Sequence, residues 1–166
     1  NNNRMNVTLQ DLTYSNGVYS LAGPYCVLED VETPADDFPE LADSTGFNYT
    51  RSQQEFEDVT VYYHIDLSYR WLMTLGYDIP GLYEFTCDPH GLDGADNSHY
   101  VPSTNHCAWG EGGVDDAEDA AVIWHEYGHA IQENIPPAMS YAGETMSLQE
   151  GCSDYWAASY SRDLYD

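Results

Sequence analysis

Two histidines and a glutamate interrupt an apolar helical segment of this 166-residue chain. The segment begins at Asp119, a residue type that caps helices, and stops near Ile135 because Pro136 and Pro137 cannot continue a helix. Within it, the run HEYGH (125–129) places two imidazoles four residues apart, so both lie on one helix face. Buried among apolar neighbours, these polar side chains need partners.

A catalytic zinc ion would provide those partners. Such an ion takes neutral imidazole nitrogens at about 2 Å, and it needs a carboxylate beside its open position to accept a proton from water. His125 and His129 are therefore predicted as metal ligands and Glu126 as the proton acceptor. The alternative is that both histidines only cap or pack.

A third ligand is expected from the helical segment that covers Glu144 to about Leu164. Glu150 is the leading candidate for this third ligand. Asp154 falls four residues later on the same helix face, where it would accept the second N–H of a ligand histidine and fix its tautomer.

At this point the chain resembles a known family. HEYGH followed downstream by Glu-Gly-Cys-Ser-Asp-Tyr (150–155) is similar to the gluzincin metallopeptidases, especially the fungalysin-like branch, with thermolysin-like enzymes more distant. The resemblance covers about residues 57–166. It implies a zincin-like lobe with zinc on His125, His129 and Glu150, and Glu126 as the base that deprotonates the attacking water.

The resemblance also assigns roles outside the zinc ligands. Residues 96–100 look like the family's edge strand, with Asn97 and Ser98 positioning the substrate backbone, and Tyr141 matches a tyrosine that stabilises the oxyanion. The family's C-terminal helical lobe, which supplies a further histidine, has no counterpart in these 166 residues. The remaining histidines all precede the HEYGH helix and are expected on the surface or in loops: His64, His90, His99 and His106.

The sequence leaves two functions open. The first is a zinc-dependent extracellular endopeptidase acting on peptides or proteins. In that case these residues are a piece of a longer peptidase, or the C-terminal lobe is a separate chain. The second is a catalytically inactive or incomplete zincin-fold module that serves as a structural subunit of an extracellular, homo-oligomeric assembly. Short strands with open edges near the N-terminus would support such assembly.

The predicted fold class is α+β. Residues 1–56 form a β-rich part in which Asn16-Gly17 is a hairpin turn and residues 33–43 an acidic loop. Residues 57–166 carry the helices of the site, starting with a helix over 58–76. The predicted strands cover residues 5–12, 18–22, 25–31 and 82–86.

The charge of the chain restricts its partners. It has 29 acidic residues against 4 basic ones, for a formal net charge of −25. Such a surface repels nucleic acid because it has no basic patch to neutralise phosphates. Acidic clusters such as residues 115–119 leave Ca²⁺ open as a second cofactor beside Zn²⁺. No apolar run is long enough for a membrane span.

The four cysteines and two sequons favour a secreted glycoprotein. The even cysteine count without C-x-x-C spacing indicates two disulfides, with four buried free thiols as the alternative. Three connectivities are possible, and the favoured one pairs Cys87 with Cys107 across a loop rich in Gly and Asp, which leaves Cys26 to pair with Cys152. Asn6-Val7-Thr8 and Asn48-Tyr49-Thr50 are candidate glycosylation sites. The predicted location is extracellular.

Overall fold

A computed structural model describes residues 6–137 and 143–165. The described chain forms a mixed α+β fold that contains short strands and three α-helices. In chain order the elements are β1 (Thr13–Ser15), β2 (Val18–Ser20), β3 (Val27–Leu28), α1 (Glu55–Thr74), β4 (Thr86–Asp88), β5 (Ser98–Val101), β6 (His106–Trp109), α2 (Ala120–Asn134) and α3 (Glu144–Tyr165). Among the described residues, no helix is both long and apolar enough to cross a membrane.

The N-terminal hairpin forms as predicted. β1 and β2 pair antiparallel around Asn16 and Gly17, whose φ angles of 52° and 92° suit the left-handed turn of a tight hairpin. The strand predicted over 5–12 is wrong for its described part, since residues 6–12 form no strand. Their backbone is held by a side chain instead, with the Tyr62 hydroxyl donating to the Gln10 carbonyl at 2.8 Å.

A four-stranded sheet has the order β3-β4-β6-β5. The first three of these strands run parallel, and β5 pairs antiparallel with β6 at the edge. The family resemblance implied an edge strand over residues 96–100, which overlap β5. The strand predicted over 82–86 is displaced to Thr86–Asp88, because Pro80–Leu82 turns in a 3₁₀ helix.

Helix α1 crosses the core and lies close to its predicted bounds. Its buried face carries Val61, Tyr62, Ile65, Tyr69 and Leu72 at helical spacing. Residues before 57 join the same core through Leu21, Cys26, Leu28 and Phe47. The domain boundary predicted at residue 56 stays a prediction.

Helices α2 and α3 pack closely, and this contact positions the site. The Asp119 carboxylate accepts the Ala121 N–H at 2.8 Å and starts α2 where the sequence placed it. A Cβ on Gly128 would lie 2.9 Å from Ser153 Cα, so only glycine lets the two helix backbones approach at this point. This close approach brings the first turns of α3 against the HEYGH face of α2.

The predicted disulfides do not form. All four cysteines are free: Cys26, Cys87 and Cys107 are buried in the core, whereas Cys152 is half-buried on α3. Cys87 and Cys107 do lie opposite each other, in neighbouring parallel strands. Burial raises the pKa of the thiols of Cys26 and Cys107, which disfavours their reactive thiolate forms.

Candidate metal centre

Two imidazole nitrogens and one carboxylate oxygen converge where α2 meets α3. His125 Nε2 and His129 Nε2 are 3.3 Å apart on successive turns of α2. Glu150 Oε2, on α3, lies 3.2 Å from the first nitrogen and 3.4 Å from the second. The structure thus brings together the three residues that the sequence proposed as ligands.

These separations suit a tetrahedral metal ion. Ligands bonded at about 2.0–2.1 Å and arranged tetrahedrally lie about 3.3–3.4 Å from one another. The three distances in the structure, 3.2, 3.3 and 3.4 Å, lie at or close to this spacing. Two imidazoles and one carboxylate are also the donor set of catalytic zinc sites that keep a fourth position open. The residues present therefore fit a zinc ion.

A second carboxylate orients one of the imidazoles. Asp154 Oδ1 lies 2.9 Å from His125 Nδ1, the ring nitrogen that points away from the cluster. A proton on Nδ1 donated to this carboxylate leaves Nε2 as the lone-pair donor, which is the tautomer that a metal ligand needs. Asp154 occupies the place that the sequence predicted for it, one turn of α3 beyond Glu150.

Glu126 lies beside the cluster and is buried. Burial raises the pKa of its carboxyl, although the nearby His125 and the Ser98 hydroxyl act in the opposite direction. Ser98 Oγ, on β5, donates to Glu126 Oε1 at 3.0 Å. A raised pKa and a fixed orientation suit a carboxyl to accept a proton and return it.

The predicted substrate-binding residues, Asn97 and Ser98, make different contacts. Ser98 contacts Glu126. Asn97 is exposed immediately before the edge strand, and its carbonyl accepts the Gly110 N–H at 3.0 Å. Their role in holding a substrate stays a prediction. Tyr141 lies outside the described residues.

The expectation of surface or loop histidines is wrong for His64 and His106, which lie in α1 and β6, whereas His90 lies in the loop after β4. His64, His90 and His106 are buried, and His99 is half-buried. His64 packs edge-on against Trp124 with ring centroids 4.9 Å apart, and burial lowers its pKa to about 4. His90 lies among three carboxylates, whereas His99 and His106 both contact Glu32.

His90 is enclosed by acids near the first turn of α1. Its Nε2 is 2.8 Å from Asp58 Oδ1, and its Nδ1 is 3.0 Å from Glu111 Oε1 and 3.3 Å from Glu57 Oε2. Burial alone would lower the pKa of His90, but the carboxylates of Asp58 and Glu57 raise it to about 11. The imidazole is therefore charged at neutral pH. The Ca²⁺ site expected at acidic clusters stays a prediction.

Comparisons with known proteins support the fold. The sequence matches no protein-family profile and no characterised protein. Among solved structures, the chain is similar to the precursor of protealysin, a metalloproteinase from Serratia proteamaculans, with a TM-score of 0.60 and 13% sequence identity. The match covers 90% of this chain and 46% of that chain, so these residues span about half of the neighbour's length. The chain therefore shares the fold of this part of the metalloproteinase precursor.

Proposed function

We propose that this chain carries the metal-binding half of a zinc-dependent endopeptidase of the gluzincin type, fungalysin-like in its motifs, with a zincin-like lobe. The observation that carries the proposal is the convergence of His125, His129 and Glu150 at 3.2–3.4 Å. A metallopeptidase-related fold around that cluster supports the same function.

Residues of the chain itself supply the proton transfers. Zinc, when bound, polarises the peptide carbonyl and makes water more acidic. Glu126 takes a proton from the attacking water and returns it to the leaving amine, because it is the buried carboxyl beside the ligands. The Ser98 hydroxyl keeps Glu126 Oε1 in one orientation during both transfers.

The substrate is a peptide that lies along β5, the edge of the four-stranded sheet. An extended peptide can add to such an edge through its backbone hydrogen bonds. Asn97, exposed immediately before β5, is proposed to help position the substrate backbone, and Tyr141 is proposed to donate to the developing oxyanion. An extracellular location is also proposed, and the exposure of Asn6 and Asn48 in their sequons supports it.

Metal removal tests the proposed function. Treatment with 1,10-phenanthroline is expected to abolish peptide hydrolysis, and added Zn²⁺ is expected to restore it, because the carbonyl and the water lose their activating ion. Hydrolysis is measured with an internally quenched fluorescent peptide. A non-chelating phenanthroline isomer serves as the control. Hydrolysis that survives complete loss of zinc would contradict the proposal, and bound zinc without hydrolysis would favour the structural-subunit function.

Replacing Asp154 with Asn tests whether this carboxylate orients the imidazole of His125. We expect Asp154→Asn to weaken zinc binding by about 10- to 100-fold, because His125 loses the carboxylate that fixes its tautomer. Affinity is measured by competition with a fluorescent zinc chelator. Asp37→Asn, which changes an exposed acid outside the cluster, is the matched control. Equal affinity of the Asp154 variant and the parent would show that Asp154 has no such role.

A further inference from the structure

A second group of metal-ligand side chains lies on the sheet and shares no residue with the first. Glu32 Oε1 is 2.6 Å from His99 Nε2 and 3.0 Å from His106 Nε2. The three ligand atoms all lie within 4.8 Å of one another. We propose that Glu32, His99 and His106 bind a divalent transition-metal ion, which ties the segment after β3 to the edge strand β5.

Glu32 is held so that one oxygen faces both imidazoles. Its backbone N–H donates to the buried carboxylate of Asp88 at 2.8 Å, and its Oε2 accepts the Leu92 N–H at 3.1 Å. Leu92 adopts a φ of 55°, a conformation that is costly for leucine and that persists only when its surroundings impose it. These contacts leave Oε1 directed at the two histidines.

Strand register places both histidines on one face of the sheet. His106 pairs with Val101 across the β5–β6 ladder, and His99 lies two residues before Val101, so its side chain points to the same side. His106 Nδ1 contacts the Thr104 hydroxyl at 2.8 Å. A proton on Nδ1 directed to Thr104 leaves Nε2 as a lone-pair donor toward the cluster.

The charge and chemistry of the group suit a divalent ion. In the structure, Nε2 of His99 and of His106 both hydrogen-bond to Glu32 Oε1, so a bound ion would take the place of the shared protons. Two neutral imidazoles and one carboxylate form a donor set that Zn²⁺ and related ions prefer. Glu32 Oε1 needs to move only about 0.3–0.8 Å away from the two nitrogens to reach tetrahedral spacing. The His99 side chain is 39% exposed, which gives the ion an entry path.

The second ion would act on the first site through β5. Successive side chains of a strand point to opposite faces, and Ser98 directly precedes His99. Ser98 holds Glu126 on one face, while His99 joins Glu32 on the other. A metal at Glu32 thus fixes the strand that orients the proposed base. The inference rests on the sheet contacts and does not require zinc at His125.

Metal counting on the 166-residue chain tests this site. After equilibrium dialysis against Zn²⁺, inductively coupled plasma mass spectrometry is expected to find one zinc per chain fewer in Glu32→Gln than in the parent. Glutamine keeps an oxygen for the Leu92 N–H, so the variant is expected to fold, which circular dichroism checks. Glu29→Gln, at an exposed position three residues earlier, is the matched control and is expected to lose none. An unchanged zinc count in Glu32→Gln would overturn the proposal.

A thermal measurement separates the two sites. In a Glu150→Gln background, which weakens the first cluster, Zn²⁺ is expected to raise the melting temperature, because an ion that binds only the folded state stabilises it. Adding His106→Gln is expected to remove that rise. If Zn²⁺ raises the melting temperature equally with and without His106, the second site does not exist, whatever the outcome of the hydrolysis assays.

Discussion

Glu126→Gln is expected to lower kcat/KM for peptide hydrolysis by about 10²–10⁴-fold, the contribution typical of a positioned general base. Glutamine has nearly the same shape and still accepts the Ser98 hydroxyl, but it cannot take a proton from water. Zinc content is expected to stay equal to that of the parent, since Glu126 is not one of the three converging ligands. Rates are measured with the quenched peptide and zinc by mass spectrometry.

A variant on the same helix provides the control. Glu133→Gln makes the same chemical change on α2 but outside the HEYGH run, and its activity is expected to match that of the parent. Full activity in Glu126→Gln would exclude Glu126 as the base. Loss of zinc together with activity would instead show that Glu126 serves the metal site structurally.

His90→Ala is expected to lower the free energy of unfolding by about 3–5 kcal/mol, the cost of leaving a buried charge without its partner. Asp58 and Glu57 are both buried, and the imidazolium of His90 lies 2.8 Å and 3.3 Å from their carboxylates. Without it, these acids repel each other with no compensating cation. Urea denaturation of parent and variant at neutral pH measures the difference.

The pH dependence of that difference follows from the pKa of His90, which is raised from 6.5 to about 11 in the folded protein. A raised pKa means that the stabilisation is fully present below pH 6.5 and is lost as the pH rises through 11. The difference in free energy of unfolding between the parent and His90→Ala is therefore expected to decrease steadily as the pH rises from 6.5 to 11. His64→Ala is the control, because the pKa of His64 is lowered to about 4 and the ring is neutral throughout. A stability difference that is small at neutral pH, or that stays constant as the pH rises, would contradict the claim that the charged His90 stabilises the fold through its ion pairs.

Local signals predicted much of the fold and of the first site. Asp119 and the two prolines after Ile135 fixed the bounds of α2, and Asn16-Gly17 specified the hairpin, because each acts through backbone contacts a few residues away. Helical spacing alone put His125 and His129 on one face. The same spacing put Asp154 one turn beyond Glu150 on α3, and the structure brings both helices together.

Long-range contacts could not be predicted from the sequence. Glu32 lies 67 residues from His99 and 74 from His106, so nothing in a local pattern pairs them. His90 meets Asp58 across 32 residues for the same reason. The cysteine count suggested disulfides, but three of the four thiols serve as buried core residues.

Anomalous X-ray diffraction at the zinc absorption edge, on crystals grown with Zn²⁺, tests the central claim most directly. The account predicts an anomalous peak between α2 and α3, at about 2.0–2.2 Å from His125 Nε2, His129 Nε2 and a carboxylate oxygen of Glu150. A zinc-replete crystal with no peak at that position would contradict the proposed metal centre, and with it the endopeptidase function built on it.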